Sequence, residues 1–216
     1  GMVRVKGERM IERQIDQLLA MGIDDIWLVT GYMQEQYEQL KEKYPIRTVF
    51  NPQYASMNNI GTVYHARHLF DQNLYLLCVD NYLEENIFHA YEHHSWYATP
   101  FAQGETDEWC LTLDENDKIV DIKVGGNDAY IMMGPVYFNA VFASQLVSHI
   151  EACFGRPDTR DMYWEDVYMA HMGEMELFAN KQTGISREFE SLEELRVYDT
   201  AYMDNSQNRH MQAIAK

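Results

Sequence analysis

Basic residues are scarce in this sequence of 216 residues, which has 17 Lys and Arg against 34 Asp and Glu and a formal net charge of −17. A protein that binds nucleic acid needs a basic face, so this balance argues against a DNA or RNA partner. The acidic excess does not exclude a nucleotide substrate, because Mg²⁺ can bridge phosphates to carboxylates. It also favours a substrate with a cationic group, through long-range attraction.

Long apolar runs and closely spaced cysteines are also missing. No apolar run approaches the roughly 20 residues that cross a bilayer, so we expect neither a membrane span nor a secretory leader. The three cysteines, Cys78, Cys110 and Cys153, are far apart and form no metal-ligand pair. We therefore interpret them as reduced, small hydrophobic residues of a cytoplasmic protein.

The most informative stretch is the apolar run 74–79, which stops abruptly at Asp80. An apolar run bounded by polar residues is typical of a fully buried strand in a parallel sheet. Ligands bind at the carboxyl ends of such strands, where a carboxylate can hold Mg²⁺ on the phosphates of a nucleotide. The alternative is that Asp80 only caps the next turn, since Asp-Asn is a common turn sequence.

The order of the predicted elements indicates an α/β fold. In the first half, helices alternate with short apolar strands, which predicts βαβ units and a parallel sheet. The predicted helices there are 8–21, 34–43 and 59–70, and the strands are 26–29, 46–50 and 74–79. The second half is predicted to contain strand-like segments 95–102, 109–113, 118–124 and 130–138, helices 140–153 and 163–171, a strand 174–179 and a short helix from 191. The polar tail from 205 is predicted to fray.

A set of short motifs runs over nearly the whole chain: VRVKG at 3–7, IERQI at 11–15, GIDDI at 22–26, VTGY at 29–32, FNP at 50–52, NN at 58–59, VDNY at 79–82, EW at 108–109 and YWED at 163–166. In order and spacing they resemble the nucleotidyltransferases that join a nucleoside triphosphate to a phosphorylated small molecule, above all bacterial CTP:phosphocholine cytidylyltransferases. The resemblance implies a Rossmann-like nucleotide-diphospho-sugar transferase fold. Such a fold has a mixed, mostly parallel central sheet with helices on both faces.

The resemblance also implies a reaction, in which a phosphate oxygen of phosphocholine attacks the α-phosphorus of CTP and gives CDP-choline and pyrophosphate. Catalysis would then come from positioning and from charge stabilisation by Mg²⁺, without a covalent intermediate. The family match makes Asp80 the first expected Mg²⁺ ligand and catalytic residue, and Glu165 the second. The alternative for Glu165 is a solvated helix residue, with Asp166 as a less favoured substitute.

Contacts to the nucleotide are implied for Asn59, Gly61 and Thr62, in addition to Asp80. An Asn side chain can pair with the edge of a cytosine, and Gly permits a close approach of the backbone. The alternative is plain capping of the helix by Asn58 or Asn59, and the two roles can coexist.

Aromatic side chains are the expected binding site for the choline headgroup, because a quaternary ammonium binds well over aromatic faces when a carboxylate is near. Trp109 and Tyr163 are the main candidates, followed by Tyr130 and Trp164, and Glu165 is the nearby carboxylate. At each aromatic position the alternative is an ordinary core residue.

One part of the family pattern is absent from this sequence. The family opens with a strand and a Gly-rich loop of the type G-x-G-x-R, followed by Pro-Lys, and this loop wraps the triphosphate. The sequence begins after that pair, so we expect a single nucleotidyltransferase domain over 1–216, truncated at its N-terminus relative to the family. The place of the first strand should then be filled by another segment, another chain or a rearranged sheet. An open slot would favour homo-oligomers, because unpaired strand edges recruit partners.

Two rival functions follow from these observations. The same fold can serve another acceptor, such as 2-aminoethylphosphonate, phosphoethanolamine or a sugar 1-phosphate. Without its phosphate loop, the chain can instead be a fragment or a non-catalytic binding or regulatory form.

A further cluster contains His89, His93 and His94. Two histidines at i and i+4 can hold a metal ion on a helix. We find no third ligand at a suitable spacing, so we interpret 88–94 as a polar helix face.

Overall fold

A computed structural model describes residues 2–182, 186–189 and 191–203, so the predicted fraying of the tail from 205 concerns residues outside this range. The strands are β1 (Arg4–Val5), β2 (Glu8–Arg9), β3 (Ile26–Thr30), β4 (Ile46–Phe50), β5 (Leu74–Leu76), β6 (Asn81–Leu83), β7 (Trp96–Leu113), β8 (Ile119–Tyr130), β9 (Val136–Phe138), β10 (Phe178–Gln182) and β11 (Ser186–Glu188). The α-helices are α1 (Met10–Ala20), α2 (Gln34–Glu38), α3 (Asn59–Ala66), α4 (Ala140–Cys153), α5 (Trp164–Ala170) and α6 (Leu192–Tyr198). None of these helices is both long enough and apolar enough to span a bilayer.

The largest sheet is mixed and has the strand order β10-β7-β9-β5, with β8 pairing with β7 outside this order. β10 is parallel to β7, whereas the β7–β9, β5–β9 and β7–β8 pairs are antiparallel. Neighbouring residues of a strand point to opposite faces of a sheet. In β9, Val136 and Phe138 accordingly lie in one apolar cluster with residues of α3, α4 and α5, and Tyr137 lies in a second cluster with residues of α1. Helices therefore cover both faces, and the predicted α/β class with a mixed sheet is confirmed.

The parallel pair β3–β4 has no ladder to this sheet in the described residues. A cavity of about 300 Å³ separates β3 from β5, and apolar side chains from both strands line it, including Ile26, Val29, Leu74 and Leu76. The continuous sheet expected from the βαβ pattern is thus interrupted between these two strands. Among the described residues, neither β3 nor β5 has a neighbouring strand on the side that faces this cavity. We call the cavity the slot.

The run 74–79 forms a different strand from the one the sequence predicts. Only Leu74–Leu76 is a strand, its side chains are half-buried, and it is antiparallel to β9. Cys78 is exposed. The prediction of a fully buried parallel strand was wrong, because the slot lies where a second neighbouring strand would have covered this run. Asp80 nevertheless follows the carboxyl end of the strand, as predicted.

Longer-range pairing also changes several predicted elements. The segments 95–102 and 109–113 belong to one strand, β7, and register shifts after Ala102 and after Thr106 interrupt its pairing with β8. The segment 130–138 is divided between β8 and β9, and the strand expected at 174–179 lies instead at Phe178–Gln182. The segment 88–94 contains no helix, so the predicted polar helix face was wrong.

A tight turn after β3 leads to a first testable prediction, that Gly31→Ala destabilises the fold. A Cβ at Gly31 would overlap the Cβ of Tyr54 and lie 2.6 Å from its Cγ, so the backbone must shift. Such overpacking costs about 1–3 kcal/mol of unfolding free energy, measurable by urea denaturation. The control is Gly173→Ala, where an added Cβ meets no heavy atom within 4 Å. Equal stability of the two variants would contradict the prediction.

Candidate active site

Asp80 is exposed and stands in a turn whose position α1 determines. The side-chain amide of Gln14 donates hydrogen bonds to the carbonyl oxygens of Cys78 at 2.8 Å and Asn81 at 2.7 Å. The Arg13 guanidinium donates to the carbonyl oxygens of Leu83 and Glu84, both at 2.7 Å. The IERQI motif therefore has a structural reason: two adjacent polar side chains hold the segment that carries Asp80.

The carboxylates of Asp80 and Glu165 both act on the thiol of Cys78. The residue has an exposed part, but burial of its sulfur among protein atoms raises the pKa of Cys78 to about 12. The carboxylates of Asp80, Glu165 and Glu188 contribute to the same rise. The strand-end carboxylate and the helix carboxylate therefore act electrostatically on the same thiol, and burial keeps that thiol protonated at neutral pH.

Glu165 is buried, with 6% of its surface exposed, in the first turn of α5. Asn59 Nδ2 donates a hydrogen bond to its Oε2 at 3.1 Å, and the Tyr97 hydroxyl donates to its Oε1 at 3.4 Å. Burial nevertheless raises the pKa of Glu165 to about 7, because these hydrogen bonds do not replace the lost hydration. The alternative of a solvated helix residue was wrong. The neighbouring Asp166 accepts the backbone N–H of Tyr163 at 2.7 Å and so caps the helix.

Asn59 joins the first turns of α3 and α5. Its Oδ1 accepts the backbone N–H of Trp164 at 2.8 Å, while its Nδ2 binds Glu165. Asn58 is the N-cap of α3 and accepts the N–H of Asn59 at 2.8 Å, so the capping role belongs to Asn58. The amide of Asn59 therefore orients Glu165, a contact that neither sequence interpretation anticipated.

Gly61 and Thr62 contact a different part of the chain. A Cβ at Gly61 would lie 3.0 Å from the Cβ of Met57, so the glycine permits close packing at this point. The Thr62 hydroxyl accepts a hydrogen bond from Asn51 Nδ2 at 3.4 Å. Of these three predicted nucleotide-binding residues, only Asn59 makes a hydrogen bond to Glu165 within the described part of the chain.

The structure brings Trp109 and Tyr163 together, with their ring centroids 5.5 Å apart at an interplanar angle of 84°. Trp109 is half-buried, and Tyr163 is 42% exposed and directly precedes α5. Trp164 is a core residue that stacks on Tyr97 at 6.0 Å, in agreement with its alternative interpretation. This leaves an open aromatic pair beside the helix that carries Glu165.

Tyr130 lies with other partners. Its ring contacts Phe101 at a centroid distance of 5.2 Å, and the Lys181 ammonium is 5.0 Å from its centroid. Tyr130 is thus linked to Phe101 of β7 and to Lys181 of β10, and within the described residues it makes no ring contact with Trp109 or Tyr163.

Two residues of the site were not identified from the sequence. Tyr97 donates to Glu165, but nothing in the sequence distinguishes it from other aromatic strand residues. Gln14 did carry a signal, because it interrupts the apolar face formed by Ile11, Ile15 and Leu18. A polar residue on a buried helix face must find hydrogen-bond partners, which here are backbone carbonyls.

Several curated proteins resemble the chain over most of its length, although no family model matches it. It is 32% identical over 197 residues to choline-phosphate cytidylyltransferase of Streptococcus pneumoniae, covering 91% of this chain and 86% of the relative. It is also 32% identical over 206 residues to 2-aminoethylphosphonate cytidylyltransferase of Lancefieldella rimae, covering 94% and 84%.

The fold agrees with these relatives. The solved structure of CTP:phosphocholine cytidylyltransferase from Streptococcus pneumoniae matches with a TM-score of 0.87 and 30% identity, covering 93% of this chain and 88% of that one. The relatives differ in the acceptor for which they are named, but each is a cytidylyltransferase. The chain therefore belongs to the cytidylyltransferases, a group of nucleotidyltransferase enzymes.

Proposed function

We propose that this chain transfers the cytidylyl group of CTP to phosphocholine, giving CDP-choline and pyrophosphate. The observation that carries the proposal is the open Trp109–Tyr163 pair at the start of the helix that holds Glu165. A ring face presented beside a carboxylate suits a trimethylammonium group, whose charge is spread over methyl groups. Membership of the family supports the general substrate classes, namely a nucleotide and a small molecule that carries a phosphate.

Magnesium is the cofactor in this proposal, held by Asp80 and Glu165. Mg²⁺ prefers oxygen ligands, which both carboxylates supply. The side-chain oxygen of Asn81 is buried and has no hydrogen-bond partner among the described residues, which adds an oxygen donor next to Asp80. The donor set therefore fits the ion. When bound, Mg²⁺ would supply charge stabilisation to the phosphates.

The residues of the chain then have separate tasks. Asn59 and Tyr97 orient the carboxylate of Glu165, and Gln14 fixes the turn that presents Asp80. Trp109 and Tyr163 bind the acceptor headgroup and so place its phosphate. The proposed transfer needs no covalent bond between a side chain and the substrate, because correct placement and charge stabilisation are sufficient.

2-Aminoethylphosphonate is the second candidate acceptor, since one relative at 32% identity carries that name. Its primary ammonium prefers carboxylates, because it has N–H groups that a carboxylate accepts in hydrogen bonds. The two acceptors are therefore distinguished by how much they depend on Trp109.

Trp109→Ala is expected to lower kcat/KM for phosphocholine by about 3- to 30-fold, the range of a cation–π contact, and to change that for 2-aminoethylphosphonate much less. The measurement is pyrophosphate release with each acceptor in turn. Tyr91→Ala is the control, because Tyr91 is an aromatic residue that is 74% exposed. Unchanged selectivity in Trp109→Ala would remove this residue from the acceptor site.

The same assay, combined with calorimetric titration of CDP-choline, tests the activity itself. Turnover of CTP with phosphocholine, lost in Asp80→Asn, is the expected result. Binding of CDP-choline without turnover would instead favour the non-catalytic binding form. A third outcome would favour the second acceptor. In that case the chain does not bind CDP-choline and does not turn over phosphocholine, but it turns over 2-aminoethylphosphonate.

Location and assembly follow as further parts of the proposal. A reaction that consumes CTP fits the cytoplasm, the compartment in which nucleoside triphosphates are available. Homo-oligomers remain a proposal supported by the strand edges at the slot, because unpaired edges recruit partners.

A further inference from the structure

An exposed arginine, Arg160, lies where the segment that leads into α5 meets the segment that leads into α3. The carbonyl oxygen of Arg160 accepts the backbone N–H of Asn58 at 2.9 Å, and its Nε donates to the carbonyl oxygen of Ser56 at 3.0 Å. Asn58 Nδ2 also donates to the carbonyl oxygen of Asp161 at 3.3 Å. These hydrogen bonds join the two segments and fix the position of Arg160 relative to α3.

Arg160 forms no ion pair with a carboxylate among the described residues. Most Lys and Arg residues in this part of the chain do form one, and those that do not are Arg4, Lys6, Arg156 and Arg160. The chain has two acidic residues for each basic one, so most of its cations are neutralised by neighbours. A guanidinium without a carboxylate neighbour can instead pair with an anionic ligand.

Its position distinguishes Arg160 from the other three residues. Arg4 belongs to β1 and Lys6 to the turn after it, and the Arg156 guanidinium donates back to the last turn of α4 at 2.9 Å. Arg160 lies three positions before Tyr163, in the segment that also leads into the helix of the candidate carboxylate. It is therefore the unpaired cation that lies in the segment of the candidate site.

We propose that Arg160 binds the phosphate group of the acceptor, an inference that rests on the proposed function. Under that function Tyr163 contacts the acceptor headgroup, and the phosphate lies at the other end of the same small molecule. Three residues of extended chain span at most about 11 Å, so the Cα atoms of Arg160 and Tyr163 are no further apart than this. The long Arg160 side chain and a bound acceptor can bridge that distance together.

The reaction needs a cation at this end of the acceptor. An acceptor oxygen forms a bond to the α-phosphorus of CTP while the bond to pyrophosphate breaks, so two anionic groups must approach each other. A guanidinium stays charged and presents paired N–H donors that match phosphate oxygens. Its Nε donates to Ser56, so the donors at Nη1 and Nη2 would bind the phosphate. Arg160 keeps all its protons throughout this step.

The rival explanation is that Arg160 only holds the two segments together through Ser56. A purely structural arginine would affect every ligand of the site alike, because it acts through the shape of the site. An arginine that binds the acceptor phosphate affects only ligands that contain this group. Matched ligands with and without the group therefore separate the two explanations.

The first test is calorimetric titration of CDP-choline and of CMP in the presence of Mg²⁺. CDP-choline contains the acceptor phosphate, and CMP lacks it. Arg160→Gln should weaken CDP-choline binding by about 10- to 100-fold, the range of a hydrogen bond to a charged group, and leave CMP binding unchanged. Arg156→Gln is the matched control, because Arg156 is also exposed and has no carboxylate partner among the described residues. Equal weakening of both ligands, or wild-type binding in Arg160→Gln, would overturn the proposal.

Steady-state kinetics give the second test. Arg160→Gln should raise the KM for the acceptor by a similar factor and leave the KM for CTP unchanged. Arg160→Lys keeps the charge but loses the paired donors, so its KM should lie between those of Arg160→Gln and the wild type. An increase confined to the KM for CTP would assign Arg160 to the nucleotide and contradict the proposal. Circular dichroism of both variants should match that of the wild type, because Arg160 is exposed.

The choice of acceptor separates failure of this inference from failure of the proposed function. 2-Aminoethylphosphonate presents anionic oxygens like those of phosphocholine, so Arg160→Gln should raise the KM for either acceptor. If the wild type turns over only 2-aminoethylphosphonate, the proposed choline specificity fails, and a raised KM in Arg160→Gln would still support the phosphate contact. A chain that neither binds CDP-choline nor turns over either acceptor would overturn both proposals.

Discussion

Glu165→Gln is expected to stabilise the folded protein above neutral pH. Burial raises the pKa of Glu165 from 4.5 to about 7, so its folded-state pKa lies above the unfolded value. The stability that this group contributes is therefore complete below pH 4.5 and is lost as pH rises towards 7. At 1.36 kcal/mol per pKa unit the loss is about 3 kcal/mol at pH 8, and Gln avoids it.

Urea unfolding between pH 5 and pH 8 measures this effect. The difference in unfolding free energy between Glu165→Gln and the wild type should grow with pH in favour of the variant. Glu176→Gln is the control, because the Glu176 side chain is 68% exposed and its charge is not buried. A difference that does not change with pH would show that the Glu165 charge is hydrated in the folded state.

The same substitution should lower turnover if Glu165 holds the metal, by at least about 100-fold. Metal ligands must be deprotonated, so wild-type activity should rise with pH over the range in which Glu165 loses its proton. A variant that is both more stable and inactive would indicate that the fold bears the cost of a buried carboxylate for its function. Full activity in Glu165→Gln would leave this residue with a structural role only.

Gln14→Leu is expected to destabilise the chain and to reduce activity without removing any group that touches a substrate. Gln14 is 4% exposed, and its amide donates to two carbonyl oxygens on either side of Asp80. Leu donates nothing, so both hydrogen bonds are lost at a combined cost of about 2 kcal/mol, and the Cys78 carbonyl keeps only the backbone N–H of Asn81 at 3.2 Å. In a chain of this size the Tm should fall by roughly 4–8 °C.

Gln17→Leu is the matched control for this prediction. Gln17 lies on the same helix, but it makes a single hydrogen bond of 3.2 Å, to Leu83 O. Its loss should cost less stability and leave the Asp80 turn in place. If Gln14 is a positioning residue, Gln14→Leu should also weaken the dependence of the rate on Mg²⁺, an effect that a purely structural role would not produce. Equal effects of the two variants would contradict the role of Gln14.

The elements that the sequence predicted well are those with a strong local pattern. The helix 140–153 and the strand 46–50 were predicted with the bounds that the structure has. Apolar periodicity, an Asn cap before the helix and the Asn51-Pro52 turn after the strand are local signals. The prediction for the run 74–79 was wrong because its apolar character was interpreted as burial between two neighbouring strands. One side of this run faces the slot instead.

In the candidate site, too, the sequence indicated single residues, and only the structure showed how they contact each other. The residues Asp80, Glu165, Trp109 and Tyr163 were selected from motifs, and the family was identified correctly. Their relations came from the structure, since the hydrogen bond between Asn59 and Glu165 spans 106 positions of the chain. The sequence signalled a histidine cluster at 88–94, where the chain forms no helix.

The sequence by itself determined the α/β class, the order of the elements, the family and the residue types available for chemistry. Only the tertiary structure decided that Glu165 is buried, that Asn59 and Gln14 position the carboxylates, and that the sheet is interrupted at the slot. The physical reason is that periodicity and capping act over a few neighbouring residues. Burial, pKa and ligand geometry depend instead on which distant segments pack together, because hydration is lost only where they meet.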